Sequence, residues 1–90
     1  MRSIRYTSQF KKDLKRARKR QKDLEKLKEV VEKLVADVPL EARYRDHALV
    51  GDYKGARDSH IEPDWLLIYE IDDEELMLIR TGSHSDLFKE

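Results

Sequence analysis

The sequence of 90 residues and 10.7 kDa is long enough for one domain, over residues 1–90, and leaves no room for a second hydrophobic core. Lys and Arg number 19 and balance 19 Asp and Glu, so net charge gives no argument for a basic nucleic-acid-binding protein. Cysteine is absent, which excludes disulfide scaffolds and thiolate chemistry, and no apolar run suits a secretory signal or a membrane span, so we expect a cytoplasmic protein without membrane association.

A short strand is predicted at residues 4–6, followed by a helix. Thr7 or Ser8 supplies a side-chain oxygen that can accept hydrogen bonds from the free amides at the start of that helix. One face of the helix carries apolar residues at steps of four and three, namely Phe10, Leu14 and Ala17. The polar residues 18–22 are predicted as a connection.

A second helix is predicted to begin after Asp23, which can cap it, and to be stopped by Pro39. Its apolar stripe consists of Leu24, Leu27, Val31, Leu34, Val35 and Val38. Residues 1–33 hold 13 Lys and Arg against 5 Asp and Glu, a net charge of +8, and residues 34–90 have a net charge of −8. Composition favours a solvated helix face for the basic run and leaves a polyanion-binding surface as the alternative.

The second half of the chain is predicted to form strands at residues 55–61, 65–71 and 76–80, after a long connection over residues 40–53. The middle strand is apolar on both faces, so we expect both faces to be covered by the chain's own ends or by a partner. The two helices and the hairpin-spaced strands predict an α+β fold, with an antiparallel sheet and both helices packed on one face.

The three histidines all lie in the second half, each near a carboxylate or a hydroxyl. His60 ends one predicted strand and Asp64 begins the next, so the hairpin brings them together. His84 follows the last strand and can share an edge of the sheet with His60, whereas His47 lies on the long connection. Metal-independent cleavage of RNA needs one group to take a proton from the ribose 2′-hydroxyl and another to protonate the leaving 5′-oxygen, and histidine suits both roles near neutral pH. Arg80 suits the charge on phosphate oxygens.

These residues also have plain structural explanations. Arg80 can form a surface ion pair with Asp58 or Glu70, and Asp64 can satisfy turn amides after Pro63. For the aromatic residues Trp65 and Phe88, packing is favoured over base stacking. A zinc site is a minor alternative, because no His-x-x-x-His spacing supports it; it would draw on His47, His60, His84 and Asp64.

Residues 44–55, with the sequence YRDHALVGDYKG, resemble the D-H-x-L-x-G-x-[WY]-K-G segment of YafQ-type toxins, in the RelE/ParE superfamily of toxin–antitoxin systems. The resemblance continues through residues 57–69. It ends with residues 80–88, RTGSHSDLF, which are similar to the R-x-G-[ST]-H-x-x-L-F terminus of the family. A weaker similarity over residues 6–15 extends it to nearly the whole chain.

This resemblance implies a RelE-like β-α-α-β-β-β fold and an endonuclease that cleaves messenger RNA in the ribosomal A site without a metal or other cofactor. It implies three partners: the 70S ribosome, mRNA and a cognate DinJ-like antitoxin of ribbon-helix-helix type. Operator DNA is expected to be contacted only through the toxin–antitoxin complex, which represses its own operon.

The catalytic positions of the family fall on His47, His60, Asp64 and His84. By this analogy His84 is the general acid, and His47, His60 or Asp64 activates the 2′-hydroxyl. Substrate contacts are expected from Arg80, Phe88 and Trp65, and contacts to ribosomal RNA from Lys11, Lys15, Arg18 and Lys22.

Two other classes of function stay open. One is a non-catalytic ParE-like toxin that binds DNA gyrase, and the other is a protein whose main output is repression of its operon together with the antitoxin. The three histidines argue against a pure binding protein, because binding alone needs no acid and base.

Overall fold

The structure is a computed structural model that describes residues 1–88. It contains three helices, α1 (Ser8–Lys19), α2 (Leu24–Val35) and α3 (His84–Phe88), and five strands, β1 (Ser3–Tyr6), β2 (His47–Ala48), β3 (Arg57–Glu62), β4 (Trp65–Ile71) and β5 (Glu75–Gly82). Short 3-10 turns at Ala42–Tyr44 and Gly51–Tyr53 flank β2.

The five strands form one mixed sheet in the order β1-β5-β4-β3-β2. The pairs from β2 to β5 are antiparallel, whereas β1 lies parallel to β5, with Ile4 opposite Leu76. The α+β class and the packing of both helices on one face are confirmed, but the sheet is not purely antiparallel as predicted. The short turns between β3, β4 and β5 impose antiparallel pairing, while the long helical connection after β1 permits the parallel arrangement.

Both helices begin where the capping residues predict. The Thr7 side chain accepts a hydrogen bond from the Phe10 amide at 2.9 Å, and Asp23 accepts one from the Glu25 amide at 3.1 Å. α1 runs on to Lys19, into the segment predicted as a connection. The first turn of each helix therefore has one of its free amides satisfied by a local side chain.

The end of α2 differs from the prediction. Asp37 adopts a left-handed conformation with φ 59°, which lets the amide of Val38 donate to the carbonyl of Lys33 at 2.9 Å. The helix therefore ends before Pro39, by its own cap. Val38 was predicted in the apolar stripe, but it lies past this turn and is exposed.

Two hydrophobic layers lie on opposite faces of the sheet. The larger layer packs the helices on one face and includes Phe10, Ala17, Leu27, Val30, Leu34, Trp65, Leu67, Tyr69, Leu76 and Leu78. The smaller layer covers the other face and joins Leu66 and Ile68 to α3 and the segment before β3, through Leu87, Ala56, Leu49, Tyr53 and Phe88. The chain therefore covers both faces of β4 itself. Of the two predicted alternatives, cover by the chain and cover by a partner, the structure shows the first.

Two short elements were not predicted, β2 and α3. β2 adds two residues to the sheet, with His47 opposite Asp58 and Ala48 opposite Arg57. Neither element is long enough to show a periodic pattern in the sequence. Within residues 1–88, no helix has the length and apolar character needed to cross a membrane.

Candidate active site

The three histidines form a row on one side of the sheet. The ring centroids of His47 and His60 are 6.2 Å apart, and those of His60 and His84 are 5.6 Å apart. They come from β2, β3 and the first turn of α3. His60 lies opposite Leu66 in the sheet, so its side chain shares the face of the smaller hydrophobic layer. The structure thus brings together the three rings that the sequence places far apart.

His84 is fixed by the carboxylate of Asp64, which lies in the turn between β3 and β4. Oδ1 of Asp64 accepts hydrogen bonds from the His84 backbone amide at 2.9 Å and from its ring Nδ1 at 2.6 Å. These bonds lower the pKa of Asp64, so the carboxylate is ionised and can only accept. The network therefore assigns a hydrogen to Nδ1 of His84 and leaves Nε2 for proton exchange.

His47 is held by a backbone carbonyl rather than a carboxylate. Its Nδ1 lies 2.7 Å from the carbonyl oxygen of Arg45, which can only accept, so Nδ1 carries the hydrogen in this arrangement as well. Arg45 adopts a left-handed conformation with φ 45°, where the chain turns from the 3-10 turn toward β2. Asp46 anchors the same segment, because it accepts hydrogen bonds from Arg57 Nε at 2.7 Å and from the Tyr69 hydroxyl. Nε2 of His47 is left for exchange.

Asp58 is a functional candidate that the sequence analysis missed. Its side chain is 4% exposed, and Oδ2 lies 3.6 Å from Nε2 of His47 and 3.7 Å from Nε2 of His60. Within residues 1–88, Oδ1 has no hydrogen-bond partner. Burial raises the pKa of Asp58, opposed by the attraction of His60 and His47. The available signal was its position two residues before His60 on a strand, which places both side chains on one face.

Arg80 does not pair with Asp58 or Glu70, so both predicted pairings are wrong. Its guanidinium binds Asp13 of α1 through two parallel hydrogen bonds, Nε to Oδ2 at 2.9 Å and Nη2 to Oδ1 at 3.0 Å. This pairing, with a smaller contribution from Tyr53, raises the pKa of Arg80. The cation is thus held in one orientation at the end of β5.

Phe88 lies beside the row of histidines, whereas Trp65 does not. The ring of Phe88 is 6.4 Å from that of His84 and meets Tyr53 edge-on at 5.9 Å. Trp65 is 1% exposed in the larger hydrophobic layer, where its Nε1 donates to the Thr81 hydroxyl at 2.9 Å. The expected substrate contact from Trp65 is therefore wrong, because its indole is sealed in the core.

The four basic residues expected to bind ribosomal RNA do not form one surface. Lys11, Lys15 and Arg18 are exposed and border a groove between the two long helices. Lys22 lies apart, in the loop after α1, where its ammonium pairs with Glu62 at 3.2 Å. Only the three residues of α1 therefore present a shared cationic face.

The geometry offers one candidate metal site within residues 1–88. Its ligands are not the four residues that the sequence analysis considered for zinc. Donor atoms of His47, Asp58 and His60 all lie within 4.8 Å of one another. His84 and Asp64 are instead bonded to each other. Two imidazole nitrogens and one carboxylate oxygen suit a divalent ion such as zinc, copper or nickel.

Comparison with known proteins shows the family of this chain. A family model described as a bacterial toxin of type II toxin–antitoxin systems, YafQ, matches residues 2–89. The mRNA interferase toxin YafQ of Escherichia coli K12 is 50% identical over 88 residues, which cover 97% of this chain and 96% of that protein.

Solved structures agree with this assignment. The E. coli DinJ–YafQ toxin–antitoxin complex contains a chain that is 50% identical, with a TM-score of 0.90 and coverage of 97% of both chains. A metal-bound toxin from Helicobacter pylori is 43% identical, with a TM-score of 0.91 and coverage of 98% of this chain and 100% of that one.

Proposed function

Since the chain belongs to the YafQ family of type II toxin–antitoxin toxins, we propose that it is an mRNA interferase, an endoribonuclease that cleaves translated messenger RNA in the ribosomal A site. The observation that supports this most directly is the row of three imidazoles. The two outer rings, His47 and His84, have Nδ1 bound to the protein and Nε2 left for exchange. A candidate base and a candidate acid thus flank His60, and general acid–base cleavage needs one group of each kind at the scissile phosphate.

His47 is the general base of this proposal. With its hydrogen on Nδ1, the neutral ring has a lone pair on Nε2 that takes the proton of the 2′-hydroxyl. The imidazolium that forms lies 3.6 Å from the Asp58 carboxylate, which stabilises the new charge. Asp64 is a poor base, because its bonds to His84 lower its pKa. The 2′-oxygen attacks phosphorus, and the products are a 2′,3′-cyclic phosphate and a free 5′-hydroxyl.

His84 is the general acid. Asp64 accepts the hydrogen bond from Nδ1 and so fixes the ring, and the imidazolium donates its Nε2 proton to the departing 5′-oxygen. His60 lies between the two outer rings and donates to a nonbridging phosphate oxygen. Each proton therefore moves between the substrate and a ring nitrogen, and no metal ion is needed for the reaction.

Arg80 and Phe88 bind the substrate. The fixed guanidinium of Arg80 stabilises the charge that builds on the phosphate oxygens in the transition state. The ring of Phe88, beside His84, stacks on a base next to the scissile bond. Neither contact reads a base edge, so both are compatible with cleavage at more than one codon.

We propose that Lys11, Lys15 and Arg18 bind ribosomal RNA. Cleavage then depends on the ribosome, and the protein acts in the cytoplasm. All three lie exposed on α1, within residues 1–33, which have a net charge of +8. Phosphate contacts of this kind supply affinity without sequence preference. They place the enzyme at the A site, and the site around His84 performs the chemistry.

A DinJ-like antitoxin of ribbon-helix-helix type inhibits the toxin in this proposal. The E. coli relative is known in complex with DinJ, and its YafQ chain is 50% identical to this one. The groove bordered by the cationic face of α1 offers apolar side chains and positive charge to an acidic segment of such a partner. The toxin contacts operator DNA only through the complex.

The test is cleavage of an mRNA by purified protein and 70S ribosomes stalled with an empty A site. We expect a single cleavage at the A-site codon, with a cyclic phosphate on the 5′ fragment. It should persist with a chelator that is selective for zinc and copper and leaves the ribosomal Mg²⁺ in place, and it should be lost in His84→Ala. The fragment ends are read by primer extension and mass spectrometry. Absence of cleavage, or cleavage that stops when only zinc and copper are chelated, contradicts the proposal. Equal cleavage of free RNA contradicts the ribosome dependence alone.

A further inference from the structure

Asp13 is a fully buried carboxylate on the apolar face of α1. Its side chain is 0% exposed, and its two oxygens accept hydrogen bonds from Arg80, Arg16, Gln9 and the Thr81 amide, at 2.9–3.2 Å. Burial by itself raises the pKa of Asp13, but the hydrogen bonds, led by that from Arg80, outweigh it and lower the pKa. The Asp13 carboxylate is therefore ionised, and both of its oxygens accept hydrogen bonds.

Packing does not explain this charge. The same helix face buries Phe10 and Ala17 in the larger hydrophobic layer, and an apolar residue at position 13 would continue that layer. Buried ion pairs are often no more stabilising than apolar residues of similar volume. What a bidentate pair does supply is orientation, because two parallel bonds fix the plane of the guanidinium.

We propose that Asp13 is a positioning residue, which holds Arg80 in the orientation that binds the scissile phosphate. The pair uses Nε and Nη2 of Arg80 and leaves Nη1 outside the contact with Asp13. This inference rests on the proposed function, because it assigns Arg80 the phosphate contact. Asp13 itself touches neither RNA nor the reacting atoms.

The carboxylate also fastens α1 to the segment that carries His84. Arg16 bonds to Asp13 at 3.0 Å and to the Thr81 carbonyl at 3.4 Å, and it lies 3.6 Å from Asp86. Asp86 accepts a hydrogen bond from the Ser83 amide at 2.9 Å, immediately before His84. The contacts of α1 therefore reach both Arg80 and the beginning of α3.

Gly82 makes this arrangement possible. A Cβ at this position would lie 2.9 Å from Nη2 of Arg16 and 3.0 Å from the side chain of Asp86. A larger residue would require the end of the Arg16 side chain and the side chain of Asp86 to shift. Glycine at position 82 therefore leaves room for Arg16 to cross the end of β5.

The experiment is a double-mutant cycle on ribosome-bound mRNA with Asp13→Asn, Arg80→Gln and the two combined. We expect Asp13→Asn to lower kcat by up to about a hundredfold, with little change in KM, since a misplaced group slows the reaction without weakening ribosome binding. In the Arg80→Gln background the same change should cost little, because Asp13 acts through Arg80. Gln9→Ala is the matched control: it removes another hydrogen bond to Asp13 and should cleave like the wild type.

Thermal melting shows whether each variant is folded at the assay temperature. Should Asp13→Asn not fold, Asp13→Glu replaces it, because it keeps the charge but moves the carboxylate by one methylene; it too should lower kcat. A folded Asp13 variant with the wild-type kcat overturns the inference, as does an equal loss in the Arg80→Gln background. These results leave the proposed function intact. If the wild-type protein cleaves no mRNA, the proposed function and this inference fall together.

Discussion

Nδ1 of His84 lies 2.6 Å from Oδ1 of Asp64, and the same oxygen accepts the backbone amide of His84 at 2.9 Å. One carboxylate thus fixes both the ring and the backbone of the residue. The turn between β3 and β4 is thereby tied to the first residue of α3. The orientation of the ring follows from the fold and does not wait for substrate.

Replacing Asp64 by Asn should slow cleavage. The lowered pKa of Asp64 keeps the wild-type carboxylate ionised throughout the neutral range, where it accepts from both the ring and the backbone amide of His84. A neutral amide is a weaker acceptor than a carboxylate, so the variant should hold the ring of His84 less firmly. Because Asp64 is largely exposed, we expect a loss of about tenfold at neutral pH, well below the ~10²–10⁴ of a lost general acid. An unchanged cleavage rate would contradict a role for this pairing.

Replacing Asp58 by Asn should raise stability while lowering activity. Burial raises the pKa of Asp58 in the folded state, so the folded protein holds this proton more tightly than the unfolded chain does. The resulting stability is present at acidic pH and is lost as pH rises through the raised pKa. The variant carries no such charge, so its melting temperature should exceed that of the wild type at pH 7 and vary less between pH 3 and 7.

Asp52→Asn is the matched control for Asp58, because it removes a carboxylate that is exposed. We expect it to change neither the melting temperature nor the cleavage rate. For Asp58→Asn, kcat should fall through the loss of the carboxylate beside His47. A variant that is less stable at pH 7 than the wild type would show that the histidines compensate the buried charge.

Reversing the charge of Lys15 and Arg18 should weaken binding to the ribosome. Both side chains are exposed, and within residues 1–88 neither forms an ion pair. Each cation removed from a phosphate should flatten the plot of log affinity against log salt by roughly 0.7–0.9, so the loss of both should flatten it by about 1.4–1.8. Lys12→Glu with Lys19→Glu changes the same charge on the neighbouring face of α1 and should have a smaller effect. Equal salt slopes for all three proteins would remove this face from the proposal.

Replacing Trp65 by Phe should affect stability and leave the chemistry unchanged. The indole Nε1 donates to Thr81 Oγ1, whose own hydrogen goes to the Leu66 carbonyl at 2.7 Å. Losing the first bond inside the core should cost about 1–3 kcal/mol in the free energy of unfolding, measured by urea denaturation. Cleavage per folded molecule should match the wild type. Phe88→Leu gives the contrast: it should slow cleavage, because the ring lies beside His84.

Local sequence signals predicted the elements that are long or well capped. β4 begins and ends where its block of bulky residues does, and Thr7 and Asp23 cap the helices as expected. The parallel pairing of β1 was not predictable in this way, since it depends on where two helices return the chain. β2 is too short to carry a pattern, although it places His47 against Asp58.

The site was predicted unevenly for a physical reason. His47, His60, Asp64 and His84 were singled out from their chemistry and their places in the predicted strands, and the family resemblance then assigned them catalytic roles. The shared edge of His60 and His84 was predicted, whereas Asp64 was placed beside His60 and the structure bonds it to His84. Asp13 was overlooked because an acidic residue in a basic helix suggests a solvated position. Its spacing from Phe10 and Ala17 nevertheless places it on the buried face, which a helical projection shows. A charge on the apolar side of a helix is therefore a useful sign of a partner elsewhere in the fold.

α1 carries opposite charges on its two sides, with Lys15 and Arg18 directed outward and Asp13 directed inward at Arg80. Fewer than two turns separate these groups, so both belong to one short helix. A movement of that helix on a docked polyanion would move Asp13, and with it the guanidinium of Arg80, with no loop in between. Ribosome binding and catalysis would then both depend on α1, and the cleavage rate would respond to the ribosomal surface that this helix contacts.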